Sequence, residues 1–102
     1  MKVRWTPQAL QDRTDIWDYL VVRDTQAALA MDQAFSDALP RLRDFPMSGH
    51  EGRISGTREL IPHPSYRLVY EISGDTVWIL ALIHTARQWP PVKGSAGSGA
   101  AD

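Results

Sequence analysis

The stretch that most constrains this 102-residue chain is its last apolar run, Thr76 to His84. Trp78, Leu80 and Leu82 alternate there with Val77, Ile79 and Ile83, so an extended segment would be apolar on both faces. Such a strand has to be central, covered twice by its own fold or bound by a partner. The segment before it, Tyr66 to Ile72, sets Tyr66, Leu68, Tyr70 and Ile72 against Arg67, Val69 and Glu71, the period of a strand. Ser73-Gly74-Asp75 between the two reads as a hairpin turn. Thr57 to Ile61 reads as a third short strand, ended by Pro62-His63-Pro64-Ser65.

The first half of the chain has a different period. Lys2 to Thr6 alternates as a short strand, and Thr6-Pro7 then starts a helix. Threonine caps the first free amides, and proline at the first helical position has no amide to waste. Leu10, Arg13, Ile16/Trp17 and Leu20 recur at helical spacing and predict an amphipathic helix over about 7–22. Thr25 is a candidate cap for a second helix, whose stripe runs through Ala28, Met31, Phe35, Leu39, Leu42 and Phe45. Pro40 inside that stripe predicts a kink or a break. The short link makes the two helices an antiparallel hairpin, and Pro46 to Gly52 reads as a loop.

The order is therefore β-α-α-β-β-β. The fold class is α+β, with the helical hairpin packed on one face of a small antiparallel sheet. The other sheet face, with little left to cover it, is the expected place for a partner or substrate. One domain over 1–92 is expected, followed by a flexible Gly/Ser/Ala tail over 93–102.

Charge narrows the functions. The formal net charge is −1, which argues against binding nucleic acid over the whole surface. The charge is also split. Residues 10–44 hold seven Asp and four Arg, whereas residues 53–92 hold four Arg against Glu59, Glu71 and Asp75. An anionic target would meet the second half. Cysteine is absent, which removes thiol catalysis and Cys-ligated metals. No apolar run approaches the roughly 18 residues of a membrane helix, and no secretory leader pattern opens the chain, so a cytoplasmic protein without membrane contact is expected.

The candidate functional residues follow. Arg58, Arg67 and Arg87 lie on or just after strands, where guanidinium groups suit phosphate or carboxylate. The plainer reading pairs each with a nearby acid such as Glu59, Glu71 or Asp75. His84 ends the last strand three residues before Arg87 and suits acid–base work near neutral pH, or simply binds backbone. His50, His63 and His84 lack metal-ligand spacing, so no metal or cofactor is expected. Trp78, Trp89 and Tyr66 read as core or interface, and Trp5 and Trp17 as core.

Taken together, Thr57-Arg58-Glu59-Leu60, Pro64-Ser65-Tyr66-Arg67-Leu68-Val69-Tyr70, the Gly74-Asp75 turn and Ile83-His84-Thr85-Ala86-Arg87-Gln88-Trp89-Pro90 closely resemble the RelE/ParE toxin superfamily, the ParE branch above all. Ile16-Trp17-Asp18-Tyr19-Leu20 and the Leu42…Phe45-Pro46…Gly49 helix ending fit too, so the resemblance covers about 1–91. It implies the toxin of a type II toxin–antitoxin system, held in a hetero-oligomer by a cognate, ParD-like antitoxin. ParE-like members poison DNA gyrase; RelE-like members cleave mRNA on the ribosome with a Lys/Arg cluster and a terminal Tyr or His. Here Arg67 matches the strand arginine, and His84 and Arg87 fall near the terminal acid. No lysine lies between Lys2 and Lys93, and no tyrosine follows Tyr70. The expectation is a non-enzymatic, gyrase-directed toxin whose target or antitoxin contacts include Arg58, Arg67, His84, Arg87 and Trp89. The alternatives are a ribonuclease using Arg67, His84 and Arg87, and a diverged, non-toxic binding module.

Overall fold

A computed structural model describes residues 1–90. The tail expected over 93–102 lies outside the described residues. Strand β1 (Lys2–Trp5) leads into helix α1 (Pro7–Val21) and then α2 (Thr25–Asp44). A single 3-10 turn (Pro46–Ser48) follows, then strands β2 (His50–Glu51), β3 (Arg58–His63), β4 (Tyr66–Ser73) and β5 (Thr76–His84). The strands form one sheet in the order β1-β5-β4-β3-β2.

The helical hairpin forms where its periodicity predicts, with one of its two expected caps in place. The Thr6 hydroxyl accepts from the Ala9 amide at 3.2 Å and donates to the Ile79 carbonyl at 2.8 Å, so one side chain starts α1 and ties it to β5. Asp24, not Thr25, caps α2, accepting from the Ala27 amide at 3.1 Å. Pro40 neither breaks nor ends α2, which runs on to Asp44. Arg13 pins the two helices together. It reaches Asp32 Oδ1 at 2.7 Å and Ser36 Oγ at 2.8 Å, with its guanidinium 5.0 Å from the Trp5 ring centroid. Such a partly buried, multiply bonded cation fixes helix register better than an exposed ion pair.

The expected element order holds, with three refinements. His50–Glu51, read from sequence as loop, pairs with Arg58–Glu59 and adds a fifth strand. β1 runs parallel to β5, Lys2 opposite Thr76, so the sheet is mixed rather than wholly antiparallel. The long β-α-α-β path between the two allows that geometry. β3 also continues through Pro62 to His63, beyond the expected stop at Ile61. The β3–β4 register shifts between Leu60 and His63, and such an irregularity accommodates a proline that cannot donate to the ladder.

A second irregularity changes which residues share a face. Val69 pairs with Ala81 and Tyr70 with Ile79, so Leu80 is an extra residue. A one-residue insertion moves every later side chain to the opposite face. Val77, Ile79 and Leu82 consequently point into the main core with Leu60, Leu68, Tyr70, Phe35 and Leu42. Ala81 and Ile83 join Val69 on the other face, in a small second cluster packed against Leu80 and Trp89. Strict alternation had put Leu82 and Ile83 on the wrong sides. Trp5 packs on the main core half-buried, and Trp17 is half-buried rather than central.

Candidate functional site

The five residues singled out from sequence fall in three separate places. Arg58, at the start of β3, is held by backbone: its Nη2 donates to the carbonyls of Met47 and Gly49. It anchors the turn after α2, where the buried Tyr70 hydroxyl also donates to the Pro46 carbonyl at 2.7 Å and accepts from the Gly49 amide at 3.0 Å. Gly49 must be glycine there, because a Cβ would sit 2.6 Å from that hydroxyl.

Arg67 and Trp89 share the second face of the sheet. Arg67 Nη1 contacts Glu59 Oε1 at 2.9 Å, and the Glu59 side chain is only 1% exposed. The plainer reading of this arginine, pairing with Glu59, is the arrangement present. The Arg53 amide donates to Glu59 Oε2 at 3.2 Å, and His50 Nε2 lies 3.6 Å from Oε1. Burial on its own would push the Glu59 carboxyl up; the Arg53 amide, the Arg67 guanidinium and the nearby His50 outweigh it and hold the carboxyl below its ordinary range. Trp89 lies over Val69, Ala81 and Ile83, and Arg53 Nη1 donates to its carbonyl at 3.0 Å. The face expected to be open is thus covered in part by the chain itself. Two donors on this face, Arg67 Nε and the Trp89 indole N–H, are buried without a partner among the described residues.

His84 and Arg87 border a third place, a groove of about 840 Å³ between the hairpin and the far ends of β4 and β5. Ile16, Leu20, Met31 and Leu82 supply apolar lining, and Asp12, Asp15 and Tyr19 line it from α1. Tyr66 meets the His84 ring edge-on at 5.1 Å and Phe35 at 5.9 Å. Burial and the neighbouring Tyr19 raise the Tyr66 hydroxyl above its ordinary range, opposed by Arg87. His84 Nδ1 accepts from the Ala86 amide at 3.0 Å, and His63 Nδ1 from the Ser65 amide at 3.1 Å. The imidazole accepting through Nδ1 carries its proton on Nε2 when neutral. Asp12 is already engaged, accepting from the Leu82 amide at 3.0 Å and from Gln8 at 2.8 Å.

Sequence reasoning missed His63, Tyr19, Asp12 and Asp15 as groove residues. The signal for the helical ones was present, since positions 12, 15, 16, 19 and 20 fall on one face of α1. His63 was hidden because its strand was read as ending at Ile61. Among the described residues no three His, Asp or Glu side chains gather as a metal set, and no helix is long and apolar enough to cross a membrane.

A helical hairpin on one face of a small mixed sheet is an architecture shared with solved toxin structures. The chain superimposes on a chain of the chromosomal ParDE TA system from P. aeruginosa with a TM-score of 0.75 at 23% identity, covering 82% of this chain and 95% of that one. The YoeB/ParE toxin from Agrobacterium tumefaciens gives a TM-score of 0.59 at 20% identity over 82% and 98% of the two chains. At these identities the likeness is one of fold alone. Sequence goes further. Residues 3–89 match the family described as ParE toxin of type II toxin-antitoxin system, parDE. The chain is 38% identical over 92 residues to the Y4kP protein of Sinorhizobium fredii, covering 89% of this chain and 95% of that protein. It is 33% identical over 86 residues to toxin RelE2 of Caulobacter vibrioides, covering 84% and 97%. The chain belongs to the ParE toxin family of type II toxin–antitoxin systems, a family that implies a cognate antitoxin.

Proposed function

We propose that this chain arrests growth by binding DNA gyrase, not by cutting RNA, and that a cognate antitoxin holds it inactive in a cytoplasmic hetero-oligomer. The observation that carries the reading is the state of Arg67. Cleavage at a 2′-hydroxyl needs an acid, a base and cations on the scissile phosphate. The one strand arginine that matches the RelE-type cluster is tied to the buried Glu59. The groove that holds His84 brings a single permanent cation, Arg87, against Asp12 and Asp15. That is a poor cradle for a phosphodiester. The toxin domain of this reading spans 1–92.

The test is a supercoiling assay with purified gyrase and plasmid. The expected result is inhibition or trapped cleavage complexes in proportion to added protein; unchanged topoisomer distributions at a tenfold molar excess would end the reading. A ribosome-dependent endonuclease is the second reading. It is favoured by one fact, the convergence of two imidazoles, Tyr66 and Arg87 on one groove. Mapping RNA 5′ ends after induction separates the two, and normal growth after induction without antitoxin supports a non-toxic binding module instead.

A further inference from the structure

On the second face of the sheet, Trp89 closes over a cluster of unspent donors. Arg67 is only 9% exposed. It gives Glu59 one bond, through Nη1, while the other Glu59 oxygen accepts from the Arg53 amide. The Nε–Nη2 edge of a guanidinium is one that holds a carboxylate by two parallel bonds. In Arg67 that edge has no partner among the described residues, and its Nε is fully enclosed. Trp89 adds a third donor. Its ring packs on the cluster of Val69, Ala81 and Ile83. Val69 follows Arg67 by two positions on β4, and Ile83 is the cross-strand partner of Arg67. Of the four tryptophans, only Trp89 has its indole N–H enclosed without an acceptor among the described residues. The cover is latched rather than woven into the sheet. Thr85 is tied down at its base, donating from its amide to the Ser65 carbonyl and from its hydroxyl to the Pro64 carbonyl. Among the described residues, the only hydrogen bond between residues 86–90 and any residue before His84 is the one Arg53 Nη1 donates to the Trp89 carbonyl, and it is exposed.

Enclosing donors unpaired costs free energy that an acceptor would return. A ligand with donors of its own fits a cluster of donors poorly. An ionised carboxylate is acceptor-only and can take all three bonds. Arg53 and Arg67 against Glu59 leave one positive charge here, which one carboxylate balances. The neighbours Val69, Leu80, Ala81 and Ile83 are apolar, which suits a protein segment and not a sugar-phosphate chain. We propose that Trp89 is a hinged cover over a carboxylate site. DNA gyrase displaces it far enough to seat one Asp or Glu, flanked by apolar side chains, between the indole N–H and the Nε–Nη2 edge of Arg67. The proposal rests on the gyrase reading above and names the chemistry of the contact.

The experiment uses the full chain in two arms. In the first, supercoiling by purified gyrase is titrated with the parent, Trp89→Phe, Arg67→Lys and Trp17→Phe. Trp89→Phe keeps an apolar ring over Val69 and Ile83 and removes the donor. Arg67→Lys keeps a cation beside Glu59 and removes the fork. Each should raise the concentration for half inhibition at least about tenfold, the loss of a hydrogen bond to a charged group. Trp17→Phe, on α1, should change it less than about twofold. Trp89→Phe carries this arm if Arg67→Lys fails to fold by circular dichroism. In the second arm, the 15N-labelled chain is titrated with sodium acetate. The Trp89 indole cross-peak should move along a saturating curve and stay in place in sodium chloride of equal ionic strength, with Trp5, Trp17 and Trp78 as internal references. An unmoved Trp89 cross-peak, or a Trp89→Phe chain as inhibitory as the parent, overturns the site and leaves gyrase inhibition standing. A parent that leaves supercoiling unchanged overturns the gyrase reading and with it the named partner; the acetate arm then decides the carboxylate site alone.

Discussion

Replacing Glu59 by Gln removes one charge from the Glu59–Arg67 pair and keeps the side chain's shape. Both groups are withdrawn from water: the Glu59 side chain is 1% exposed and that of Arg67 11%. Breaking a buried pair by removing one partner costs about 3–5 kcal/mol, because the other charge is left buried and uncompensated. A domain of this size holds only about 5–15 kcal/mol in total. At roughly 4–8 °C per kcal/mol, the variant should melt on the order of 20 °C lower. Urea titration followed by tryptophan fluorescence, with thermal melts by circular dichroism, measures both quantities. Glu59→Leu combined with Arg67→Met should regain most of the loss, since an apolar pair of similar volume carries no desolvation cost. A Glu59→Gln variant within about 1 kcal/mol of the parent would refute the reasoning, as would a double variant no more stable than the sum of the singles. The pH dependence is an independent check. The Glu59 carboxyl is held below its ordinary range in the folded chain. Its contribution is therefore fully present above the unfolded value of about 4.3 and is lost as pH falls through the lower folded value. Glu59→Gln should flatten the acid limb of the stability curve.

Other outcomes follow from single contacts. Tyr70→Phe strands the buried Gly49 amide and Pro46 carbonyl and should cost about 1–3 kcal/mol in urea unfolding. Trp89→Ala uncovers Val69, Ala81 and Ile83; a rise in binding of a hydrophobic dye is expected, and a flat dye signal would contradict the cover seen over that face. Pro40→Ala restores a missing backbone donor inside α2 and should stabilise the chain by about 1–2 kcal/mol, read as a higher Tm.

Much of the fold was legible because its patterns are local. The helical stripe, the Thr6-Pro7 start and the Gly74 turn each lie within a few residues of one another, and Gly74 takes the positive φ of 60° that its turn needs. What stayed hidden depends on pairing across the chain. Nothing in His50-Glu51 announces a strand until Arg58–Glu59 lies beside it. The extra residue at Leu80 looks like ordinary alternation until Val69 and Tyr70 supply the register. The candidate site was legible as residue types and not as an assembly. Arg58, Arg67 and Arg87 share a sheet in sequence logic, yet a backbone anchor, a buried ion pair and a groove rim claim one each. Alternation alone cannot say which face of a strand its own chain will cover.

The parallel pairing of β1 with β5 has a consequence for synthesis. β5 lies between β1 and β4 in the sheet and is, among the described residues, the last strand to be synthesised. Until it emerges, Lys2–Trp5 has no partner, the Thr6 hydroxyl has no Ile79 carbonyl to hold, and the helical hairpin lacks Val77, Ile79 and Leu82 beneath it. Non-local pairing of this kind completes late and as a unit. A message cut before the codon for Val77 yields a fragment that lacks Val77, Ile79 and Leu82 of the core, and such a fragment is expected not to fold.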